Sequence, residues 1–568
     1  MKKSYDETAC DVLVIGSGAG GLSTAITARK NGLKVVVIEK ESFFGGTTAF
    51  SGGVLWIPGN HHARQRGVQD STEAARTYLK NETGNFFRDD AVTAFLDEGP
   101  KMLEFFERET EVKFVASEYP DYHPTVEGGV DIGRSVTAAP YDIRRLGRDI
   151  ARLRPPLETI TFMGMMFNSS NNELKHFFNV TKSLSSFLYV GKRLARHMVE
   201  LALYRRGVQA TSGNALAARL AKSALDLGIP IRTGTAATAL WVEDGRIRGA
   251  HVQGPDGAVR IEARRGVVLA CGGFPHDARR LATLYPHVAK GHEHLSPTPA
   301  GNSGDGIRMA ESVGAGIEDR FPSAAAWIPV SKVALGGGRT GLFPHLVDRY
   351  KPGVIAVTRK GRRFVNEANS YHDFGVAMIR ACEDEPETAA WLICDHATIR
   401  QYGLGFVKPA PVPLRPFLKS GYLQTGDSLV ELARAAGIDP AGLEATVRIF
   451  NQGAETGQDP EFGRGTTSFN RYLGDPNHKP NPNVAPIRKG PFYAVKVVMG
   501  DLGTFDGLKT DTVGRVLDRS GEPIPGLYAV GNDQASIMGG DYPGAGITLG
   551  PIMTFGYITG RHLAGAPA

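Results

Sequence analysis

A tyrosine set into a run of glycines is the first residue in this chain whose type and place suggest chemistry. Gly539-Gly540-Asp541-Tyr542-Pro543-Gly544-Ala545-Gly546 continues into Ile547, Thr548, Leu549 and Gly550, so a phenol stands beside backbone that carries almost no side chain. The Tyr542 O–H and a backbone N–H of this run, aimed at one point, would form an oxyanion hole, which stabilises an enolate developing from a ketone. Desaturating a ring beside that ketone removes a proton from the α-carbon and a hydride from the β-carbon. A tyrosine, with an ordinary pKa of about 10, takes the proton only if its phenolate is stabilised, as by a second tyrosine hydroxyl donating to it. The hydride needs a redox cofactor.

The elements around the other glycine clusters supply a place for one. Asp11-Val12-Leu13-Val14-Ile15 is a β-branched run that ends in Gly16-Ser17-Gly18-Ala19-Gly20-Gly21, and a helical pattern (Leu22, Ala25, Ile26, Arg29) follows. In this strand, G-x-G-x-x-G, helix order, Gly16 allows the tight turn, Gly18 lets backbone approach a pyrophosphate, and Gly21 lets helix pack on strand. The helix N-terminus at Ala19 and Gly20 adds amide donors. A second strand, Lys34-Val35-Val36-Val37-Ile38, ends in Glu39, about 20 residues on, where a carboxylate accepts ribose hydroxyls. The next stretch, Gly45-Gly46-Thr47-Thr48-Ala49-Phe50-Ser51-Gly52-Gly53, suits contact with a pyrophosphate and a flat ring, which selects FAD over NAD. Two more strands end in glycines, at Ala270-Cys271-Gly272-Gly273 and at Val530-Gly531-Asn532. Together these segments resemble the fumarate-reductase-like superfamily of FAD enzymes. Covalent flavin in that superfamily uses a His beside the second segment, and this stretch has none, so non-covalent FAD is expected.

Composition narrows the remaining classes. Glycine occurs 70 times in 568 residues, above the usual 7% or so, and the excess falls in these clusters. A formal charge of +6 from 65 basic and 59 acidic residues is too weak a bias for a nucleic-acid binder. Cys10, Cys271, Cys382 and Cys394 have no C-x-x-C spacing and read as reduced thiols. No metal site is expected, His292 and His294 lacking accompanying ligands. No apolar run approaches the roughly 18 residues of a membrane span, and the N-terminus carries no export signal pattern, so a cytoplasmic protein is expected. The sequons at Asn168 and Asn179 then read as chance matches.

The glycine segments bracket the chain, which predicts an α/β protein: a Rossmann-like FAD-binding domain with an inserted α+β substrate (cap) domain. The expected division is 1–315 for the FAD domain, 316–498 for the cap and 499–568 for the return. Asp305, after Asn302-Ser303-Gly304, is placed near a helix N-cap at the edge of the FAD domain. One basic segment, 157–206, stands apart. Lys175, Lys182, Lys192, Arg193, Arg196, Arg205 and Arg206 face only Glu173 and Glu200, while Leu184, Phe187, Leu188, Leu194, Met198 and Leu201 keep helical spacing. A helix packed on its own protein or on a second subunit is the favoured reading. Contact with the inner face of a membrane is the alternative.

Over most of the chain a closer resemblance emerges. Tyr542-Pro543-Gly544-Ala545-Gly546, preceded by Gly500-Asp501-Leu502-Gly503-Thr504, Gly507-Leu508, Thr510-Asp511 and Gly526-Leu527-Tyr528-Ala529, resembles the 3-ketosteroid Δ1-dehydrogenase family, the 157–206 segment being the main departure. Pro120-Asp121-Tyr122 is similar to that family's Pro-Asp-Tyr, and Asn366-Glu367 followed by Tyr371 to its Asn-Glu-x-x-x-Tyr. The resemblance implies Tyr371 and Tyr122 as the base pair, Tyr542 and Gly546 as the oxyanion pair, and Lys40, Ala237, Asn532, Thr548 and Leu549 among the FAD contacts. Tyr119 is expected to line the pocket, Tyr472 and Tyr493 to stand behind it, and His372 to have no role. The implied reaction is FAD-dependent 1,2-desaturation of a 3-ketosteroid, with electrons leaving to a quinone-like acceptor. Alternatives are a 3-oxo-5α-steroid 4-dehydrogenase, a cyclohexanone-type desaturase, a fumarate or ene reductase, and an FAD-binding electron carrier.

Overall fold

Valine-rich runs buried on both faces build a parallel sheet. The computed structural model describes residues 9–167, 176–177, 180 and 183–565; Asn168, Glu173, Lys175, Asn179 and Lys182 lie outside the described residues. In chain order the first part contains β1 (Ala9–Ile15), α1 (Ala19–Lys30), β2 (Val35–Ile38), β3 (Val54–Trp56), α2 (Thr72–Thr83), β4 (Ser135–Ala138) and α3 (Leu184–Tyr204). It continues through β5 (Ile231–Arg232), β6 (Ala236–Glu243), β7 (Arg246–Gly254), β8 (Gly257–Leu269) and α4 (Asp305–Glu311). β1 pairs in parallel with β2, Val12 opposite Val35, and with β8, Leu13 opposite Val267. β5 extends the parallel set beyond β2, and β6 and β7 form an antiparallel meander with β8.

The chain then builds a second sheet from β9 (Ala325–Ala334), β10 (Thr340–Pro344), β11 (Ile355–Val357), β12 (Ala389–Asp395), β13 (Gln424–Gly426) and β14 (Phe492–Thr504). Its order is β10-β9-β14-β12-β11, with β13 also on β14, and every pairing is antiparallel. Helix α5 (Tyr371–Ala381) packs on β9. β15 (Arg515–Leu517), β16 (Pro523–Ala529) and α6 (Leu549–Leu563) return to the first sheet, whose order is β15-β16-β8-β1-β2-β5. β14 runs straight through the expected boundary at 498, pairing with β12 from Phe492 to Val498 and with β9 from Val498 to Thr504. The two sheets share one apolar core, from Leu13, Val36 and Val267 of the first to Trp327, Leu392 and Val495 of the second.

Helix α3 forms where the periodicity predicts one, but its apolar side faces outward. Leu184 is 75% exposed, Leu188 63%, Phe187 59% and Met198 57%, whereas Ser186, Val190, His197 and Glu200 face the protein. The inner side is held by specific polar contacts: His197 Nε2 pairs with the Met163 carbonyl at 2.8 Å, and Glu200 accepts from Arg196 Nε at 3.0 Å and Val208 N at 3.2 Å. Of the two packings expected for this helix, its apolar side therefore does not take the one on its own chain, and a second subunit stays open.

Candidate active site

Glycine is required where two backbones touch. Gly16 has φ +115°, and a Cβ there would lie 2.0 Å from the Ala270 carbonyl oxygen, so the turn after β1 meets the end of β8 at van der Waals limits. The helix start at α1 meets the turn after β16 in the same way, a Cβ at Gly20 falling 3.2 Å from Gly531 N. The threonines of the second glycine stretch close the cradle. Ala19 N donates to Thr48 Oγ1 at 3.0 Å, and Asn302 Nδ2 to Thr47 Oγ1 at 2.7 Å. Glu39, at the end of β2, accepts from Ser17 Oγ at 2.6 Å and Ser17 N at 3.2 Å. Lys40 pairs with Asp305 in the first turn of α4.

This cradle forms one wall of a cavity of about 1320 Å³. Of the residues expected at a cofactor, Gly16, Gly18, Ala19, Gly20, Glu39, Lys40, Gly46, Thr47, Thr48, Ser51, Gly52, Gly53, Ala237, Ala270, Gly272, Asp305, Gly531, Asn532, Thr548 and Leu549 line it. Gly21 and Gly273 do not; they lie behind, a Cβ on Gly21 meeting the Gly16 carbonyl and one on Gly273 meeting Thr504 Oγ1. Backbone amides around a long concave wall, with an acidic group at the far strand end, fit a dinucleotide pyrophosphate and ribose.

Tyr122, Tyr371, Tyr542 and Gly546 line the same cavity. Tyr122 Oη donates to Tyr371 Oη at 3.4 Å, the rings of Tyr122 and Tyr542 stack at 5.6 Å, and the Tyr371 and Tyr542 rings meet edge-on at 5.0 Å. Backbone bonds hold the loops. The Pro543 carbonyl accepts from Tyr122 N at 2.8 Å and from Tyr78 Oη at 2.6 Å, and the Gly546 carbonyl accepts from Trp56 N at 3.1 Å. A Cβ on Gly546 would lie 2.6 Å from the Val54 carbonyl. Its N–H has no acceptor among the described residues. Burial pushes the Tyr122 and Tyr371 phenols well above their ordinary value and raises Tyr542 too. At Tyr122 the contact with Tyr371 works against burial, but at Tyr371, the expected base, the contacts with Tyr122 and Tyr542 raise the phenol further, so the expected stabilisation of its phenolate is not found.

Before Tyr122, Asp121 accepts from Trp56 Nε1 and Arg134 Nη1, each at 2.8 Å, with burial raising its pKa to about 6. After it, His123 lies between two acids, Nδ1 2.6 Å from Glu82 and Nε2 3.0 Å from Asp373. Those partners override burial and raise its pKa to about 11, so both nitrogens donate. His372 accepts from Trp327 N at 3.2 Å and is held neutral, burial lowering its pKa to about 4. Tyr371 and His372 open helix α5. Tyr119 and Tyr472 line the cavity with rings 4.7 Å apart; Tyr493 instead packs beneath β12 and bonds His396. His294 bridges His287 and Asp501. One triplet unforeseen from sequence, His61, His62 and Glu107, gathers its ligand atoms within 4.8 Å, and there both imidazoles already bond Glu107. Sequence reading also missed Lys351 and Lys408 on the cavity wall and the His123 cluster, whose members come from distant segments.

The FAD binding domain family matches residues 11–549. The chain is 45% identical over 99% of its length, and 95% of the relative's, to a 4-oxocyclohex-2-ene-1-carboxylate 5-dehydrogenase of Sinomonas cyclohexanicum. It is 38% identical to a 3-oxosteroid 1-dehydrogenase of Mycobacterium tuberculosis, over 98% of both chains. The crystal structure of 3-ketosteroid Δ1-dehydrogenase from Sterolibacterium denitrificans, in complex with 1,4-androstadiene-3,17-dione, superposes with a TM-score of 0.89 at 37% identity. It covers 98% of this chain and 100% of that one. With a cradle fitted to FAD and this kinship over its whole length, the chain belongs to the 3-ketosteroid Δ1-dehydrogenase family of FAD-dependent oxidoreductases acting on CH–CH groups.

Proposed function

We propose that the protein introduces a C=C bond beside the carbonyl of a cyclic ketone, a 3-ketosteroid desaturated at its 1,2 bond. The convergence of Tyr122, Tyr371, Tyr542 and the unused Gly546 N–H in the cavity that the glycine cradle walls carries this reading. The ketone oxygen accepts from Tyr542 O–H and Gly546 N–H, which acidifies the α-carbon. Tyr371, as phenolate, takes the α-proton, and Tyr122 stabilises that phenolate by donating to it. When bound, FAD supplies the acceptor for the β-hydride. The second sheet and its loops act as the cap that encloses the ring, and a quinone-like acceptor collects the electrons, since the chain carries a single dinucleotide fingerprint. The test is anaerobic mixing of the yellow protein with 3-ketosteroids, following flavin bleaching. No bleaching by any cyclic ketone, together with reoxidation of the reduced protein by fumarate, overturns the reading.

One observation favours a smaller keto acid as a second reading. Lys408 lines the cavity 5.3 Å from the Phe406 ring, without a hydrogen-bond or ion-pair partner among the described residues, a place where a substrate carboxylate would be welcome. Preference for 4-oxocyclohexanecarboxylate over a ketosteroid, lost in Lys408→Met, would establish it.

The outward face of α3 fits a lipid surface. Its apolar arc is flanked by exposed Lys192, Arg196 and Arg205, its acid Glu200 is turned inward, and Val190 and Leu194 on the inner side line the cavity. No helix among the described residues is long and apolar enough to cross a membrane. Cosedimentation with anionic vesicles, reduced by Phe187→Glu, checks this. Dimerisation lost in the same variant would assign the face to a second copy instead.

A further inference from the structure

The three tyrosines come from segments far apart in the chain, and each has a neighbour in one half-buried charge cluster. His123 follows Tyr122, Asp373 lies two residues after Tyr371, and Asp541 precedes Tyr542; Glu82 of α2 completes the group. Tyr122 is bound to the Tyr542 loop by main chain, through its N–H and the Pro543 carbonyl. Nothing comparable ties it to α5. Among the described residues, the segment 119–131 and α5 share two hydrogen bonds: the 3.4 Å hydroxyl contact itself and the 3.0 Å contact from His123 Nε2 to Asp373 Oδ2. Glu82 holds the other side of the imidazole at 2.6 Å, fixing the ring plane, and His123 N lies 3.3 Å from Tyr78 Oη. Asp373 Oδ2 stands at the first turn of α5, where Asp373 N also donates to the cap residue Ser370 at 3.0 Å. A charge-assisted contact here is short and directional, whereas a hydroxyl pair at 3.4 Å is too long to set its own geometry.

We propose that His123, held between Glu82 and Asp373, is the positioning residue that sets the separation of Tyr122 and Tyr371 by latching the Tyr122 loop to the helix of the second sheet. His123 touches none of the reacting atoms and acts through Tyr122. Because α5 packs on β9 and the Tyr122 loop packs on α2 and the Tyr542 loop, the latch joins the two sides of the cavity at the point where the base pair forms. The inference rests on the base role given to Tyr371, but its structural part stands apart from it.

The holoprotein variants His123→Gln, Asp373→Asn, Asp373→Glu and Glu82→Gln separate a latch from a general prop. The latch predicts that His123→Gln and Asp373→Asn keep their flavin, keep KM within about twofold, and lose kcat by about 10- to 100-fold, with crystal structures showing the Tyr122 to Tyr371 oxygen distance lengthened. Asp373→Glu should recover part of kcat, and Glu82→Gln, which leaves the contact to α5 in place, should lose less than Asp373→Asn. Equal loss in Glu82→Gln and Asp373→Asn, or an unchanged oxygen distance in His123→Gln, overturns the proposal. If the wild-type protein bleaches with no cyclic ketone, the proposed reaction fails while the oxygen distances still decide the latch. If the His123 variant does not fold, Asp373→Asn carries the same test.

Discussion

Tyr542 and Gly546 are expected to matter more than any apolar wall residue, because in the proposed reaction they act where charge develops. Loss of one oxyanion donor costs about 2.7–4 kcal/mol of barrier in comparable sites, so Tyr542→Phe should lower kcat by about 10²–10³-fold with flavin retained, measured by dye reduction with a ketosteroid. The base has its own signature. Burial holds the Tyr371 and Tyr122 phenols above their ordinary range, and the phenolate is therefore a minority species at neutral pH. The rate should rise as pH increases from about 7 to 10 with no plateau below the ordinary phenol pKa of about 10. A plateau near neutrality would point to a different base. Motif context picked out all four of these residues, because each stands in a local pattern of glycine, proline or Asn-Glu. His123 had no such pattern: its importance lies in acids 41 and 250 residues away, which only folding brings together.

At the level of elements, strands and glycine turns were readable and faces were not. The β-branched runs of β1, β2 and β8 and the turns that end them follow from local sequence. Periodicity located α3, yet which side is inward is decided by the Met163 carbonyl, Arg196 and Val208 N, contacts that no periodicity contains. The boundary expected at 498 falls inside β14 for a related reason, since that strand's extent is set by two partners, β12 up to Val498 and β9 beyond it. Between elements, the His123 latch makes a prediction of its own. Its partners raise the His123 pKa from 6.5 to about 11, so its stabilising contribution is full below about pH 6.5, declines as pH rises and is spent beyond about 11. The difference in melting temperature between the wild type and His123→Gln should thus be largest near pH 6 and shrink steadily toward pH 10.

For the whole molecule, the shared core makes the sheets one mechanical body. A single thermal transition is expected, where weakly docked domains would give two. FAD bound to the folded state alone should raise that transition with concentration, by about 2.7 kcal/mol at one hundred times its Kd. Scanning calorimetry of protein stripped of flavin, with and without added FAD, measures both. The cradle supplies amides from both ends and the middle of the chain, so truncation at Gly526 should abolish flavin retention even though the first G-x-G-x-x-G is intact.

The Pro543 carbonyl, which gathers Tyr122 N and Tyr78 Oη, also bears on how such an enzyme diversifies. A side chain anchored by main chain is shielded from most point mutations, whereas the loop carrying Lys408 shares the cavity and, among the described residues, makes no hydrogen bond to Tyr122, Tyr371 or Tyr542. Lineages can exchange those loop residues freely and inherit the reaction unaltered. Directed evolution toward new ring systems would find its variation there, leaving the Gly539 to Gly550 stretch untouched.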